Sequence, residues 1–137
     1  MDLYADNILE HYRNPRNTGK LRNANITHEE KNWSCGDAIT VHLQIENACI
    51  REMRWEGTGC AISQAAMSLL SERLEGMQTE TAVAMKQEDI CALLGIPIGP
   101  RRLQCALIGL HAVQNAIRTH QGIPLETLAE TVKIKAE

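Results

Sequence analysis

The sequence predicts an α+β fold in which an antiparallel sheet of about three strands is covered by helices. Residues 39–46 alternate between apolar and polar side chains, which is the period of a strand with one face in water. From residue 60 onward the apolar side chains recur at the spacing of amphipathic helices. At 137 residues the chain fits a single domain with one hydrophobic core, so we expect the helices to pack on the sheet.

Composition and charge exclude several functional classes. The net charge is −3, from 14 basic and 17 acidic residues mixed along the chain, so no basic stripe is available for nucleic acid. No apolar run approaches the roughly 20 residues of a membrane span, and the N-terminus lacks signal-peptide features. We therefore expect a cytoplasmic protein that binds neither nucleic acid nor membrane. Its five cysteines favour metal ligands, reactive thiols or core residues over disulfides.

The first 25 residues are predicted to form a helix and then a loop. Apolar residues at every fourth position indicate a short amphipathic helix over Leu3–Arg13, and Pro15 ends it. Residues 14–25 are polar and contain Gly19, which is typical of a mobile, solvated loop.

Three strands are predicted next. The first is assigned to the Glu-Glu-Lys stretch before Trp33, the second to residues 39–46, and the third to Cys49–Glu56 after a turn. Asp37 shares odd numbering with the apolar face of the second strand, so its carboxylate is expected to point toward the helices. His42 falls on the wet face and is interpreted as a surface residue.

The remainder of the chain carries helical periodicity. After the strands, Cys60 stands at the start of a helix. Residues 79–94 are predicted to form two short helices that meet near Gln87, and a final long helix contains Cys105. The polar residues expected to face water are Gln64, Ser68, Ser71, Glu75, Gln104, His111, Asn115 and Arg118. The histidines interpreted as surface residues rather than ligands also include His11, His28 and His120.

Three cysteines and one aspartate are the candidate metal ligands. Cys35 and Asp37 flank a glycine, which allows a turn sharp enough for both side chains to aim at one point. Cys60 and Cys105 each stand at the start of a helix, and such element ends can lie side by side in a sheet covered by helices. Three thiolates suit zinc or iron–sulfur chemistry, and the hard carboxylate would be a labile fourth ligand.

Other interpretations stay open for these residues. Gly-Asp is ordinary turn chemistry, and a structural zinc site is an alternative, although such a site is more often built from two closely spaced ligand pairs. Cys49 and Cys91 are left out of the set. Cys91 lies in an apolar helical run and is assigned to the core, while Cys49 lies in a strand without neighbouring residues of ligand type.

The pattern resembles the U-type iron–sulfur cluster scaffold proteins, the IscU/NifU/SufU type. The motifs that carry the resemblance are Asn14-Pro15 with Gly19, Ser34-Cys35-Gly36-Asp37, Gly59-Cys60-Ala61-Ile62-Ser63 and Cys105-Ala106. The resemblance implies a SufE/NifU-like α+β fold, with helices packed on one face of a three-stranded antiparallel sheet. It implies one domain over residues 1–137, with its core in residues 4–117 and a helical tail in residues 123–137.

The resemblance also implies a function and partners. Cys35, Asp37, Cys60 and Cys105 would bind a transient [2Fe-2S] cluster or a metal ion, either iron or zinc, and we expect zinc in protein isolated in air. The partners would be a pyridoxal-phosphate cysteine desulfurase that delivers sulfur, an iron donor, and the apo-proteins that accept the cluster.

The chain is intermediate between two branches of this family. Gln104 replaces the histidine of the scaffold branch, and residues 98–102 replace its chaperone-docking segment, so chaperone handover has no support. Ser63-Gln64-Ala65 is similar to the zinc-binding sulfur-acceptor branch, but the spacing from Cys60 to Cys105 leaves no room for the extra stretch of that branch. A non-enzymatic scaffold is the preferred hypothesis. The alternative is a zinc-binding sulfurtransferase that takes a persulfide on Cys35.

Overall fold

The computed structural model describes residues 3–32 and 36–125 of the chain. The elements in these residues are α1 (Leu3–Arg13), β1 (Ile26–Asn32), β2 (Asp37–Glu46), β3 (Cys49–Thr58), α2 (Ala61–Leu74), α3 (Thr79–Ala84), α4 (Gln87–Leu94) and α5 (Pro100–Gln121). The strands form one antiparallel sheet in the order β1-β2-β3, so β2 is central. The helices cover one face of the sheet, which confirms the predicted α+β fold.

The central strand β2 supplies the apolar floor of the core. Ile39, Val41 and Leu43 are completely buried, whereas Thr40 and Gln44 on the other face are partly exposed. The alternation predicted for this strand is therefore confirmed. Asp37 begins the same strand and is buried with its odd-numbered neighbours, so its carboxylate does point to the helical side.

Helix α5 lies against β1, and this contact overturns one prediction. Every residue from position 105 to position 118 is buried. His111, Asn115 and Arg118 were expected to face water, but β1 packs along their side of the helix. Gln104 is partly buried. Amphipathic spacing cannot reveal a second buried face when that face is polar.

Close approach of α2 and α5 depends on one small residue. A Cβ built on Gly109 would lie 2.7 Å from the sulfur of Met67, so the two helices pack at a distance that only glycine allows. No helix within the described ranges is both long and apolar enough to cross a lipid bilayer. Of the predicted tail helix, residues 123–125 are not helical and residues 126–137 lie outside the description.

The loop between α1 and β1 is docked rather than free, contrary to expectation. Trp55 of β3 donates its indole N–H to the backbone oxygen of Arg16 at 2.7 Å, and its own carbonyl accepts the N–H of Gly19 at 2.9 Å. The loop therefore lies along the outer edge of β3. It also covers Ser68 and Ser71 of α2, which are completely buried instead of facing water.

Besides His111, two more histidines predicted at the surface are buried. His11 places Nδ1 2.7 Å from the hydroxyl of Ser68 and Nε2 3.5 Å from the carboxylate of Glu72. His42 lies 2.9 Å from the carboxylate of Glu56, on the sheet face opposite the helices. The remaining pair are His28, which is partly buried, and His120, which is exposed as predicted.

The environment of His11 makes stability depend on pH. Burial is the main cause that lowers the pKa of His11 below its ordinary value of 6.5, and the nearby Arg16 cation lowers it further. Folding therefore favours neutral His11. Its contribution to stability is present above pH 6.5 and is lost as the pH falls through the lowered pKa.

We expect the free energy of unfolding to be smaller at about pH 5 than at about pH 8, and His11→Gln to reduce this difference. Glutamine can still hydrogen-bond Ser68 but does not titrate. Urea unfolding of both proteins across this range measures the effect. Identical pH dependence in the two proteins would show that His11 does not contribute.

Candidate metal centre

Three candidate ligands from three different elements meet at one point. Asp37 at the start of β2, Cys60 just before α2 and Cys105 in the second turn of α5 each offer an atom within 4.8 Å of the others. The spatial meeting of these three element ends agrees with the sequence analysis. Cys35 lies outside the described residues, so its place in the set remains a prediction.

Asp37 links the sheet to the start of α2. Its Oδ1 accepts the backbone N–H of Cys60 at 2.9 Å, and the residue is only 1% exposed. The carboxylate thereby accepts a bond from an N–H at the positive end of a helix, where negative charge is favourable. A carboxylate has about four acceptor sites on its two oxygens, so this hydrogen bond does not by itself prevent Asp37 from acting as a ligand.

Cys60 is held by its neighbours in an extended conformation just before α2. Its φ is −75° and its ψ is 167°, and its carbonyl accepts the Ser63 hydroxyl at 3.0 Å and the Gln64 N–H at 3.2 Å. Cys60 is exposed, whereas Asp37 and Cys105 are buried. The site is therefore open to solvent on the side of Cys60, and its other two ligands lie inside.

Gly59 belongs to the motif around Cys60, and the structure gives it a role that was not predicted. Its φ is +143°, and a Cβ placed there would lie 2.0 Å from Oδ1 of Asp37 and 2.9 Å from the hydroxyl of Ser63. Any larger residue would displace the carboxylate. A glycine immediately before a cysteine that starts a helix is the signal that could have predicted this constraint.

The donor chemistry fits a thiophilic metal. Thiolates are soft ligands that suit zinc and iron–sulfur centres, and a carboxylate oxygen is a harder and weaker partner for them. Three ligands within 4.8 Å, one of them exposed, make an open site that can accept a further ligand. The four described cysteines, Cys49, Cys60, Cys91 and Cys105, are not joined in disulfides.

Comparison with known proteins gives a family match over most of the chain. The model of the family described as "NifU-like N terminal domain" matches residues 3–127. The zinc-dependent sulfurtransferase SufU of Bacillus subtilis is 31% identical, with 88% of this chain and 92% of that protein covered. The iron-sulfur cluster assembly scaffold protein IscU of Thermotoga maritima is 29% identical, with 85% and 93% covered.

Solved structures share the fold. A putative iron-sulfur cluster assembly scaffold protein for the SUF system from Fervidobacterium islandicum superposes with a TM-score of 0.73, at 24% identity over 85% of this chain and 96% of that one. The N-terminal part of a NifU-like protein from Brucella abortus gives a TM-score of 0.74, at 20% identity over 88% and 95%. At these identities the likeness concerns the fold alone.

We expect Gly59→Ala to weaken metal binding at least about tenfold, because the added Cβ displaces Asp37 from the site. The strained φ should also cost about 1–3 kcal/mol of stability. Gly99→Ala is the matched control, since it lies before α5, has a φ of −72° and finds space for a Cβ among the described residues. Competition with a zinc chelator measures affinity, and equal values for both variants would contradict this account.

The ligand assignment predicts that only some of the cysteines are needed for metal binding. Replacing Cys49 and Cys91 together with Ala should leave metal content unchanged, since Cys49 starts β3 at the end away from the site and Cys91 packs against the core. Replacing Cys35, Cys60 or Cys105 singly with Ser should lower it. Elemental analysis of the purified proteins decides the matter, and loss of metal from the double variant would refute the assignment.

Proposed function

Because the chain belongs to the NifU-like N-terminal domain family, we propose that it is a scaffold on which an iron–sulfur cluster is built and from which it passes to acceptor proteins. The observation that carries the proposal is the meeting of Asp37, Cys60 and Cys105 within 4.8 Å. Scaffold relatives that cover most of the chain support it, including the IscU of Thermotoga maritima.

The cargo we propose is a [2Fe-2S] cluster. Each iron in such a cluster is tetrahedral and shares two bridging sulfides, so the protein must supply four ligands. Cys35, Cys60, Cys105 and Asp37 make up that number. In this assignment Cys35, which lies between β1 and β2 in the sequence, completes the set.

The ligands differ in what they contribute to assembly and release. Cys60 is exposed and offers the first contact for incoming iron or sulfur, while buried Cys105 holds the inner side. Asp37 is the weakest ligand for a thiophilic centre, and its hydrogen bond to Cys60 gives the carboxylate another stable partner when it leaves the metal. A site of this kind can form a cluster and still let it go.

The proposal requires partners of defined chemistry. Sulfur at the oxidation level of a persulfide would come from a pyridoxal-phosphate cysteine desulfurase, and an external electron donor would supply the two electrons that reduce each sulfur to the bridging sulfide. Iron would come from a separate donor, and the cluster would leave to apo-proteins. Described cysteines that are not joined in disulfides suit a reducing compartment, and we place the activity in the cytoplasm.

A second candidate function is zinc-dependent sulfur transfer. The observation that favours it is the relative from Bacillus subtilis, which is named a zinc-dependent sulfurtransferase and is covered over 92% of its length. In this case zinc would hold the site, and the Cys35 thiolate would attack the outer sulfur of the desulfurase persulfide. The new S–S bond forms on Cys35, the persulfide S–S bond breaks, and the desulfurase cysteine leaves as a thiolate.

Asp37→Ala separates the two functions because it should shift them in opposite directions. In a scaffold, loss of the weak ligand should lengthen the life of the reconstituted cluster and slow its transfer to an acceptor. In a zinc site, loss of the same ligand should weaken zinc binding by at least about 10- to 100-fold. Anaerobic reconstitution followed by visible absorbance gives the first readout, and chelator competition gives the second.

Asp37→Asn is the matched control for this experiment. The amide oxygen can still accept the Cys60 N–H, so the start of α2 is retained, but the negative charge is lost. Asp37→Ala should cost about 1–2 kcal/mol more of unfolding free energy than Asp37→Asn in the metal-free proteins. An Asp37→Ala protein with unchanged cluster lifetime, transfer and zinc affinity would show that the carboxylate is not a ligand.

A further inference from the structure

A cluster of polar side chains joins β1 to α5 next to the candidate metal centre. We call it the β1–α5 clamp, and its members are His28 and Glu30 of β1 with His111, Asn115 and Arg118 of α5. Both imidazoles contact the Glu30 carboxylate: His28 through Nε2 to Oε2, and His111 through Nε2 to Oε1 at 3.3 Å. Asn115 donates its amide N–H to Oε2 of the same carboxylate at 3.0 Å.

The orientation of this network is determined by its outermost member. The guanidinium of Arg118 can only donate, and it contacts Oδ1 of Asn115 at 3.0 Å. The amide nitrogen of Asn115 must therefore face Glu30 and His111, at 3.0 and 3.3 Å. Nε2 of His111 can serve only one of its two neighbours at a time, because the Glu30 carboxylate requires an Nε2–H donor and the Asn115 amide requires an Nε2 acceptor. The directions of the contacts from Arg118 to Asn115 and from Asn115 to Glu30 are fixed, so the clamp specifies how α5 is set against β1.

Strand β1 presents mostly polar side chains to the helical layer. It is an edge strand that pairs with β2 alone, and its inward side carries one apolar residue, the partly buried Ile26. The following inward positions are His28, Glu30 and Asn32. By contrast, β2 presents Ile39, Val41 and Leu43 to the core. The contacts of β1 with α5 are therefore mostly polar and directional.

Both elements of the clamp continue into the candidate site. On α5, Cys105 precedes His111 by six residues, about 9 Å along the helix axis. On β1, Glu30 precedes Asn32 by two residues, about 7 Å, and Asn32 pairs with Asp37. A shift of α5 along β1 would change the distance between Cys105 and Asp37.

We propose that Glu30 and His111 are positioning residues that fix Cys105 against Asp37 and thereby set how slowly the site releases its metal. The proposal rests on the proposed function for the identity of the cargo. Its structural part, that the clamp keeps Cys105 enclosed, does not. His111 is 2% exposed and Cys105 is 6% exposed, so both side chains of α5 are buried.

The contact between Glu30 and His111 fixes the orientation of α5 relative to β1 more than it stabilises the fold. Removing one partner leaves a buried group without its counterpart, which loosens the contact. Replacing both partners with apolar side chains of similar size can restore stability, because polar groups no longer have to be removed from water. Apolar contacts are not directional, however, so the double replacement should not restore the setting of α5 on β1.

The variants for the test are Glu30→Gln, His111→Leu and the double variant Glu30→Met with His111→Leu. The matched control is the pair His42 and Glu56, a histidine and glutamate 2.9 Å apart on the opposite face of the sheet. It is changed as Glu56→Gln and His42→Leu. Circular dichroism and urea unfolding identify the folded variants, and the double variant keeps the test available where a single variant fails to fold.

Two rates are measured. The first is transfer of bound zinc from the protein to an excess of chelator. The second is alkylation of metal-free protein by N-ethylmaleimide, followed by mass spectrometry of tryptic peptides, which separates Cys105 (residues 103–118) from Cys60 (residues 55–73). Exposed Cys60 serves as the internal reference, since buried Cys105 can react only when the contact opens.

We expect both rates to rise at least about tenfold in the folded clamp variants, including the double variant, and to change less than about twofold in the control variants. Clamp variants with rates equal to those of the control variants would overturn the proposal. So would a double variant whose rates return to those of the unchanged protein. If the unchanged protein binds neither zinc nor a cluster, the proposed function fails, while the Cys105 to Cys60 alkylation ratio still tests the clamp.

Discussion

The hydrogen bond from the backbone N–H of Cys60 to the carboxylate of Asp37 is the contact on which the candidate site depends. It joins the first residue of the central strand to the residue that precedes α2, so it ties the sheet to the helical layer at the point where the ligands meet. The bond requires a buried carboxylate, and the parity of β2 provides one. It also requires a neighbour without a Cβ, which explains the glycine at position 59.

Under the proposed functions, the same contact would make the site preorganised and also able to release its cargo. A ligand held by a backbone N–H is already aimed before a metal arrives, so little conformational entropy is lost on binding. The hydrogen bond also stabilises the carboxylate after the metal has left. Cys60 is exposed and can be reached from solvent, whereas Cys105 is buried and protected from it. Under both candidate functions, this arrangement would allow the bound metal or cluster to be exchanged.

The helical layer is held to the sheet by two different kinds of contact. Toward the centre, α2 and α5 approach closely at Gly109 over the apolar floor of β2, where shape determines the packing. At the β1 edge, Glu30 and His111 replace apolar packing with a directional contact. The first kind gives most of the stability through burial, and the second defines the position of one element relative to another. The candidate site lies where both meet.

Sequence alone determined the features that depend on local periodicity and on motif spacing. These are the three strands, the limits of α1, the break between α3 and α4, the inward direction of Asp37, and the placement of Cys60 just before one helix and of Cys105 within the first two turns of another. Tertiary structure alone decided which polar residues are buried. Ser68 and His111 lie on stripes that look solvated in isolation, and both are covered by segments distant in the chain. Periodicity shows which side chains of one helix or strand share a face. Whether a polar face is buried depends on the segment that packs on it, and that contact forms only when the whole chain has folded.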